Sequence, residues 1–594
     1  MSKEGSLEER RSRLRPLSKV SLSRVRRLLP FISGFRYKLV LIFLLSFSNT
    51  ILGLLGPIFT KILIDDVLQA HNLRLLWILS GIMIAVTLVS YVLGAFNRYY
   101  YTSVTARVLF NLRQHLFEHL QALPMRFHVR AKVGDLLSRL NTDIAEVQSM
   151  LTDAGFNFIA NIFTLFAATG FLLWLNWKLF LLSLTLVPLQ LYGVAKFRPM
   201  IVSQTRIVRE LNAAISSFLV ESLSAIKFVK LFVAEKVQHA RLSALGVSFV
   251  KSVTRLEMLS YLGSSASAAS TFLGSALVTL YGGYLVIEGK MTIGSLVAFS
   301  AYQMRAFSPL QALIDLYLRL QRAGVSVDRI FEFLDLPTES DSAPGTRRLP
   351  EVRGEIEFRH VSFSHNPAVP ILEDLSFTIP AGGRLTIVGP SGAGKTSMVD
   401  LMTRLVEPRA GSILLDGHDL RNLDLAWLRG QLVVTGHQAF VFHASMIENL
   451  RYACPDASLE EVMAAARAVG LHDFIASLPG GYENPVGEHG ATLSDGQRQR
   501  ISIARALLKD PKILVLDEAL SALDVVSEAE IRASVERALP GRTVIMITHR
   551  LSSIRQDDQV MVLEQGRVLW SGRYCDHPDG LSQKIIEPPQ ERVA

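Results

Sequence analysis

Long apolar runs without a charged side chain constrain this sequence more than any other feature. A helix that crosses a membrane needs about 20 such residues, because its backbone must satisfy its own hydrogen bonds across roughly 30 Å of hydrocarbon. The N-terminal part of the 594-residue chain contains five uninterrupted runs and a sixth that holds a single arginine. The six predicted spans are Leu39–Thr60, Leu75–Asn97, Ala154–Trp177, Leu179–Ala195, Met258–Ile287 and Met291–Ile314.

The distribution of lysine and arginine predicts the direction of these spans. An arginine-rich segment precedes the first run, and such segments stay on the cytoplasmic side of a membrane. The short connections at Asp65, Trp177 and Gly289 are then external. The long charged segments Arg98–Asp153 and Lys196–Glu257 are internal. We expect these internal segments to be helical extensions that reach a cytoplasmic domain, and the chain to be a multi-pass protein of the inner (plasma) membrane.

One ionisable side chain, Arg305, falls inside a predicted span, where a charge is costly and usually faces water or a partner. It either meets an acidic substrate head group or sits near the cytoplasmic mouth and extends its own head group to water. The fifth span is rich in glycine, serine and alanine between Gly263 and Ser270, which lets helices approach closely in lipid. This stretch either packs against neighbouring helices or lines a cavity.

Composition also predicts the domain boundaries. Residues 336–353 have a loop-type composition with three prolines, which indicates a linker between a transmembrane domain at 21–335 and a soluble domain at 354–580. Residues 1–20 and 581–594 are predicted to be flexible tails. The soluble part alternates short apolar strands with helices, as layered α/β domains do. It also holds the only two cysteines, so no disulfide framework is expected.

The strongest local signal is the sequence GPSGAGKT at 389–396. It follows the apolar run 385–388 and opens a helical pattern, which is the strand–loop–helix setting that the G-x-x-x-x-G-K-[ST] phosphate loop requires. Backbone N–H groups wrap the phosphates, Lys395 reaches the β- and γ-phosphates, and the Thr396 hydroxyl binds Mg²⁺. The predicted ATP-contacting residues of this loop are Gly389, Pro390, Ser391, Gly392, Ala393, Gly394, Lys395, Thr396 and Ser397.

A second strand delivers two carboxylates to the same region. Residues 513–516 form a continuous apolar run, as a buried parallel strand requires. Asp517 and Glu518 follow at its carboxyl end, where open α/β sheets bind ligands. Asp517 is placed to hold Mg²⁺, and Glu518 to polarise the attacking water. A further strand at 543–548 ends at His549, which is placed to contact the γ-phosphate. Glu518 and His549 are the predicted catalytic residues.

The soluble part resembles the ATP-binding cassette superfamily. The sequence LSDGQRQR at 493–500 is similar to the signature of that family. SALD at 521–524 resembles its D-loop, and VGE at 486–488 resembles its X-loop. His549 resembles its switch histidine, and these motifs together are very specific.

The apolar part carries the same resemblance. GDLLSRL at 134–140 and the segment Glu221–Glu235 resemble the intracellular loops of the type IV exporter fold. The resemblance extends from about Arg26 to Gly572, and the layout is similar to bacterial half-transporters such as the lipid A flippase and multidrug exporters. It implies an α-helical six-span transmembrane domain plus an α/β P-loop nucleotide-binding domain with a mixed sheet and a helical subdomain. The N-terminus and the nucleotide-binding domain would be cytoplasmic.

The resemblance also implies an ATP site shared by two chains. Ser494, Gly496 and Gln497 would meet the γ-phosphate of ATP held on the partner's phosphate loop, with Asp524 of the D-loop among the nucleotide-contacting residues. Ser494 is expected to cap the helix that begins near Asp495, whose N–H groups form an anion site. Two ATP molecules would close two such domains and turn the transmembrane cavity outward, and hydrolysis would release them.

Three positions depart from the family pattern. His365 stands where relatives usually carry an aromatic that stacks on adenine, and imidazole stacks with less area. The Q-loop glutamine position falls on His437, with Gln438 one place later. Either the loop shifts by one residue, so that Gln438 contacts Mg²⁺, or His437 takes over contact with the metal and water. Asp495 replaces the commoner signature glycine. Its side chain is expected to point away from the phosphate; alternatively, the chain pairs with a different subunit.

Together these features predict an ATP-hydrolysing half-transporter that exports or flips an amphipathic, lipid- or drug-like substrate by alternating access as a dimer. Its partners would be a second copy of the chain or a related half-transporter, and membrane lipid. Two alternatives share the motifs: an importer built on the exporter fold, and one subunit of a heterodimeric peptide or natural-product exporter. Soluble DNA-repair ATPases carry long coiled-coil heptads where this chain has lipid-compatible spans, so no nucleic-acid partner is expected.

Overall fold

The structure, a computed structural model, divides the chain into two compact units. One comprises Met1–Phe117 with Leu136–Phe333, and the other comprises Glu118–Asp135 with Leu334–Ala594. The second unit therefore takes in a short stretch of the first predicted internal segment. The described residues are 27–28, 30–150, 152, 155–185, 187–342, 345–366, 369–436, 439–487, 490, 492–520, 525–550, 554–556 and 558–576.

Helices dominate the described chain before the linker. Two π-helical turns, Leu63–Leu68 and Arg139–Asp143, continue helices α2 and α5. The helices are α1 (Pro30–Ser33), α2 (Arg36–Ile62), α3 (Leu73–Ala122), α4 (Met125–Arg130), α5 (Val133–Ser138), α6 (Ile144–Ser149), α7 (Gly155–Leu184), α8 (Val187–Ser224), α9 (Ile226–Leu231), α10 (Glu235–Ile287) and α11 (Ile293–Leu334).

Several of these helices are suited to a lipid environment. Among the described residues, the segments long and apolar enough to cross a membrane are Arg36–Leu68, Leu73–Ala122, Phe158–Leu184 and Glu235–Ile287. The third is broken at Asn176, where the backbone leaves the helical region (φ −165°, ψ 109°). The Asn176 side chain accepts hydrogen bonds from the N–H groups of Lys178 and Leu179, at 3.0 and 3.1 Å, and so caps the next helix. This break coincides with the predicted turn between the third and fourth spans. The predicted sixth span lies in α11, and the count of six stays a prediction that the helices fit.

Close packing holds the membrane helices together, as expected where lipid removes the hydrophobic drive between them. Phe171 of α7 stacks on Tyr302 of α11 with 4.8 Å between ring centres, in a cluster that also contains buried residues of α2 and α10. Helix α10 packs along α8 through its small-residue stretch. A Cβ atom at Gly263 would lie 3.3 Å from Phe197 Cβ, so a larger side chain would push these helices apart. Packing is therefore the role that the structure gives to this glycine.

The second unit is an α/β domain. A short 3₁₀ turn, Leu420–Asn422, follows β5. Its strands are β1 (Ile356–Phe363), β2 (Leu372–Ile379), β3 (Arg384–Val388), β4 (Ala410–Leu415), β5 (His418–Asp419), β6 (Leu432–Thr435), β7 (Ile513–Asp517), β8 (Thr543–Ile547), β9 (Gln559–Glu564) and β10 (Arg567–Arg573). Its helices are α12 (Glu339–Ser342), α13 (Lys395–Met402), α14 (Leu425–Gln431), α15 (Met446–Arg451), α16 (Leu459–Ala468), α17 (His472–Ser477), α18 (Asp495–Lys509) and α19 (Val525–Ala538).

Two sheets organise this domain. A four-stranded sheet has the order β2-β1-β4-β5, and a six-stranded sheet has the order β10-β9-β3-β8-β7-β6. In the larger sheet all neighbouring strands are parallel except β10, which runs antiparallel to β9. β3, β7 and β8 are almost continuously apolar and buried, because helices and the second sheet cover both faces. The mixed sheet predicted from the family resemblance is confirmed.

A second core lies under the helices α15 to α18. Val462, Ile475 and Ile501 are fully buried there and pack towards β7 residues such as Leu514. Ser445 and Ser458 begin α15 and α16 with reciprocal capping hydrogen bonds, which fix where each helix starts. This helical subdomain, also predicted from the resemblance, positions the signature sequence at the start of α18.

Candidate functional site

The phosphate-loop sequence connects β3 to α13, in the strand–loop–helix setting predicted from the sequence. Glycine is required at both ends of the loop. A Cβ atom at Gly389 would lie 2.1 Å from the carbonyl oxygen of Leu563. Gly394 has a φ of +102°, and a Cβ atom there would lie 2.5 Å from Leu372 Cδ2. The loop therefore approaches Leu563 and Leu372 more closely than a residue with a Cβ atom permits.

Lys395 opens α13, and its side chain folds back into the loop. The residue is only 8% exposed. Its Nζ donates hydrogen bonds to the carbonyl oxygens of Gly389 at 2.8 Å and Pro390 at 2.9 Å. Burial lowers the pKa of the Lys395 ammonium, while the Glu518 and Asp517 carboxylates act in the opposite direction. The side chain thus sits at the centre of the loop, near the Asp517 and Glu518 carboxylates at the end of β7.

Asp517 and Thr396 lie together, as a shared metal ion would require. Asp517 ends β7, and interaction with the Thr396 side chain favours the ionised form of its carboxylate. Burial raises the pKa of the Asp517 carboxyl, repulsion from Glu518 adds to the rise, and Lys395 opposes it. No group of three or more His, Cys, Asp or Glu side chains suited to a metal occurs among the described residues. The pair fits Mg²⁺, which takes one or two protein oxygens and completes its shell with phosphate and water.

Glu518 and His549 meet across adjacent strands. β7 and β8 are parallel neighbours in which Asp517 pairs with Ile547, so the residues that follow lie side by side. His549 Nδ1 is 3.6 Å from Glu518 Oε1. Glu518 has a φ of +52°, which is uncommon for a residue other than glycine, and its N–H donates to the Ile547 carbonyl at 3.0 Å. A strained backbone that is held in this way fixes the direction of the carboxylate.

His365 lies near the phosphate-loop helix. It follows β1, is exposed, and meets the Phe363 ring edge-on with 4.9 Å between ring centres. On α13, burial raises the pKa of the Asp400 carboxyl, and the charge of His365 lowers it. The exposed imidazole is therefore available to stack on a base beside the loop. Sequence reasoning missed Asp400, because a single aspartate inside a helix carries no motif; its position five residues after Lys395 was the one available signal.

Ser494 caps helix α18, as predicted. Its Oγ accepts a hydrogen bond from the Gln497 N–H at 3.2 Å, and the Ser494 N–H donates to Gln497 Oε1 at 2.9 Å. Gly496 lies in the first turn between them. The N–H groups of a first helical turn lack helical acceptors, so the start of α18 is an anion-binding arrangement.

The unusual signature residue Asp495 is paired within its own helix. Its carboxylate accepts a hydrogen bond from Arg498, one turn further along. Arg498 also donates to the carbonyl oxygens of Gly490 at 3.1 Å and Leu493 at 3.3 Å. The negative charge of Asp495 is therefore offset by an arginine that also holds the loop before the signature helix.

The structure brings the phosphate loop and the residues at the ends of β7 and β8 together, and it leaves the signature residues 494–497 apart from them. The phosphate loop, Asp517, Glu518 and His549 meet at one edge of the six-stranded sheet, because β3, β7 and β8 are parallel. Within the described ranges, no hydrogen bond joins residues 494–497 to that loop. The predicted site residues His437, Gln438 and Asp524 lie outside the described residues.

Two family models match most of the chain. The model described as the ABC transporter transmembrane region matches residues 39–310, and the model described as ABC transporter matches residues 372–521. The chain belongs to the ABC transporter family. The second match contains the phosphate loop, the Asp517 and Glu518 carboxylates at the end of β7, and the signature sequence. The α/β domain is therefore the ATP-binding domain of an ABC transporter.

Similar proteins extend the family assignment over nearly the full length. YgaD of Bacillus subtilis (strain 168), named as a multidrug export ATP-binding/permease protein, is 32% identical over 566 residues, covering 94% of this ABC transporter and 98% of the relative. An ATP-dependent lipid A-core flippase of Syntrophus aciditrophicus (strain SB) is 32% identical over 514 residues, covering 86% and 85%.

A solved structure shows the same fold. It is a bacterial Atm1-family ABC exporter with ATP bound, and it matches with a TM-score of 0.79 at 28% identity, covering 93% of this chain and 99% of that chain. This ABC transporter joins one transmembrane region to one ATP-binding domain, which makes it a half-transporter. It is a multi-pass membrane protein that hydrolyses ATP to drive export.

Proposed function

We propose that this half-transporter holds ATP and Mg²⁺ at the edge of its six-stranded sheet. The observation that carries this proposal is the convergence of the phosphate loop with Asp517, Glu518 and His549. Backbone N–H groups of the loop and of the α13 N-terminus receive phosphate oxygens, and Lys395 adds a positive charge. His365 stacks on the adenine from the end of β1.

The metal position follows from the same geometry. Thr396 and Asp517 are the ligands on this chain, with Gln438 or His437 as a further contact. Bound Mg²⁺ would neutralise the charge that develops on the phosphates. The half-buried Asp517 carboxylate, whose pKa is raised by burial and by Glu518, is stabilised by a nearby cation.

Hydrolysis depends on Glu518 and His549. Glu518 orients and polarises the water that attacks the γ-phosphate, and its fixed backbone keeps the carboxylate directed at that water. His549, 3.6 Å from that carboxylate, contacts the γ-phosphate. The two side chains thus act on the same reaction centre from adjacent strands.

A second chain completes the site. The capped start of α18 is an anion-binding turn that makes no hydrogen bond to its own phosphate loop in the described residues. Ser494, Gly496 and Gln497 bind the γ-phosphate on the partner's loop, and Asp524 belongs to the same interface. Because Arg498 offsets the charge of Asp495, the signature remains compatible with a phosphate. We therefore favour a homodimer over a pair of different half-transporters.

The substrate class is an amphipathic lipid- or drug-like molecule exported across the inner membrane, with the ATP-binding domain and the N-terminus in the cytoplasm. Two relatives are named for multidrug export and for flipping lipid A-core, which supports this class. Residues Glu118–Asp135, which comprise the end of the long helix α3, helix α4 and the start of α5, group with the ATP-binding unit. This stretch is therefore suited to carry closure of the ATP-binding domains to the spans.

We expect the chain, reconstituted alone in proteoliposomes with its ATP site outside, to move a fluorescent lipid or drug analogue only when ATP and Mg²⁺ are both present. The measurement is the protection of the analogue from a membrane-impermeant quencher. Proteoliposomes containing Glu518→Gln, which we expect to bind ATP without turning it over, are the matched control. Two results together would argue against this function: no lipid, drug or peptide changes the rate of ATP hydrolysis, and the transport rate equals that of proteoliposomes containing Glu518→Gln.

A further inference from the structure

A proline inside α2 leaves one backbone carbonyl of a membrane helix without its helical partner. Pro57 has no N–H, so the carbonyl oxygen of Gly53, four residues earlier, lacks the usual hydrogen bond. In hydrocarbon such a carbonyl must find another donor. Helix α11 supplies two donors at this point. The Tyr302 hydroxyl donates to the Leu54 carbonyl, and the guanidinium of Arg305 donates to the Gly53 carbonyl.

The guanidinium of Arg305 lies over two glycines of α2. A Cβ atom at Gly53 would be 3.5 Å from Arg305 Nη1, and one at Gly56 would be 3.7 Å from Nη2. Residues three apart share one helix face, so the two glycines form a flat surface beneath the planar group. A long side chain at either position would displace the guanidinium from α2.

A contact near one end of the same helix pair fixes the depth of Arg305. Asp65 accepts hydrogen bonds from Thr292 Oγ1 at 2.6 Å and from the Gly294 N–H at 2.8 Å, at the predicted external ends of the two helices. Arg305 is 11 residues beyond Gly294 in sequence, which is about 16 Å at 1.5 Å per residue. It is 9 residues before Ile314, where the predicted span ends, or about 13 Å. Arg305 therefore lies deep within the span, too far from the cytoplasmic mouth to extend its head group to water there.

The positive charge of Arg305 has no acidic partner within the described part of the chain. Its hydrogen bond goes to a neutral carbonyl. A guanidinium has five N–H donors, so most of them remain available, and the residue is exposed. A charge at membrane depth faces a water-filled cavity or a charged partner. The planar fork of arginine matches carboxylate and phosphate groups.

We propose that Arg305 recognises the acidic head group of the transported substrate, which is an amphipathic molecule with a phosphate, carboxylate or sulfate group. This inference rests on the proposed function, because it places Arg305 on the transport path. One edge of the guanidinium is held by the Gly53 carbonyl that Pro57 leaves available, and the remaining N–H groups bind the head group. The apolar tail of the substrate contacts the surrounding spans.

Binding of three amphiphiles that share a dodecyl tail tests the proposal. Full-length protein in phosphatidylcholine nanodiscs is titrated calorimetrically with dodecyl phosphate, dodecyl maltoside and dodecyltrimethylammonium, and empty nanodiscs supply the background. We expect the wild type to bind dodecyl phosphate at least about tenfold more tightly than the other two, as a charge-assisted pair requires. Arg305→Gln is expected to lose that preference, because glutamine carries no charge. Its side-chain amide keeps a donor for the Gly53 carbonyl, so the helix contact is changed as little as possible. Arg305→Lys is expected to keep part of it.

Arg74→Gln is the matched control, since it removes an exposed positive charge near the start of α3. It is expected to bind all three amphiphiles as the wild type does. A wild type without a preference for dodecyl phosphate, or an Arg305→Gln variant that retains it, would overturn the proposal. ATP hydrolysis measured in the same nanodiscs separates the two claims. Anion binding without hydrolysis would contradict the proposed function alone, and hydrolysis without the anion preference would contradict this inference alone.

Discussion

Replacement of Glu518 by glutamine is expected to lower the steady-state ATPase rate by at least about 100-fold, the lower end of what a general base contributes. The variant keeps the size of the side chain and replaces its carboxylate by an amide, so the backbone at φ +52° and the hydrogen bond from its N–H to the Ile547 carbonyl are preserved. It removes the negative charge that polarises the attacking water. Lys395 and the phosphate loop are unchanged, so ATP is expected to bind with near wild-type affinity.

Hydrolysis and binding are measured on the same purified protein, by phosphate release and by titration with a fluorescent ATP analogue. Glu460→Gln is the matched control, because Glu460 is an exposed glutamate in the first turn of α16, within the helical subdomain. It is expected to hydrolyse ATP at the wild-type rate. A Glu518→Gln variant that keeps half of the wild-type rate would show that another group activates the water.

Loss of the Lys395 charge is expected to weaken ATP binding at least about tenfold, since a hydrogen bond to a charged group contributes about 1.5–3 kcal/mol. The reason is local. The Lys395 ammonium lies 2.8 and 2.9 Å from two loop carbonyls and is oriented by them within the loop. Its loss removes the cation nearest to the predicted β- and γ-phosphate positions, so hydrolysis is expected to fall with binding. This separates Lys395 from Glu518, whose replacement affects turnover alone.

Lys395→Met and Lys395→Ala are measured together, because methionine fills the buried position and limits any loss of folding. Lys509→Ala, at the exposed last residue of α18, is the matched control for the loss of one lysine. Thermal unfolding without nucleotide shows that each variant is folded. Wild-type ATP affinity in Lys395→Met would contradict the assigned role of the ammonium.

Local sequence was sufficient to predict much of the nucleotide site. The glycines at 389 and 394 are dictated by close contacts and a positive φ, and such requirements leave a readable pattern. The apolar strand before Asp517 also predicted a buried parallel strand and the edge where ligands bind. Ser494 was predicted as a helix cap because it directly precedes the helix that begins near Asp495, and its side chain does cap that helix.

Contacts between distant segments were not predictable in this way. The Gly53–Arg305 hydrogen bond depends on a proline in one helix and an arginine 248 residues later in sequence (305 − 57), and no local pattern connects them. The proximity of Asp400 to His365 likewise arises only when β1 and α13 come together. The pairing of Asp495 with Arg498 is local, but the sequence analysis predicted only that the carboxylate would point away from the phosphate and did not identify Arg498 as its partner.

The sharing of one ATP site between two chains is tested most directly by mixed dimers. Two differently tagged chains are co-expressed and purified through both tags. In the first dimer, one chain carries Lys395→Met and the other Ser494→Arg, so each chain has one damaged half-site. In the second dimer, one chain carries both substitutions and the other is wild type. The ATPase rate of each dimer is then compared with that of the tagged wild-type dimer.

With the phosphate loop of one chain facing the signature of the other, the first dimer retains one complete site and the second retains none. We therefore expect measurable hydrolysis from the first dimer and background hydrolysis from the second. The opposite result, with activity only in the dimer that contains one wild-type chain, would mean that each ATP site is built from a single chain. It would contradict the sharing of each site between two chains.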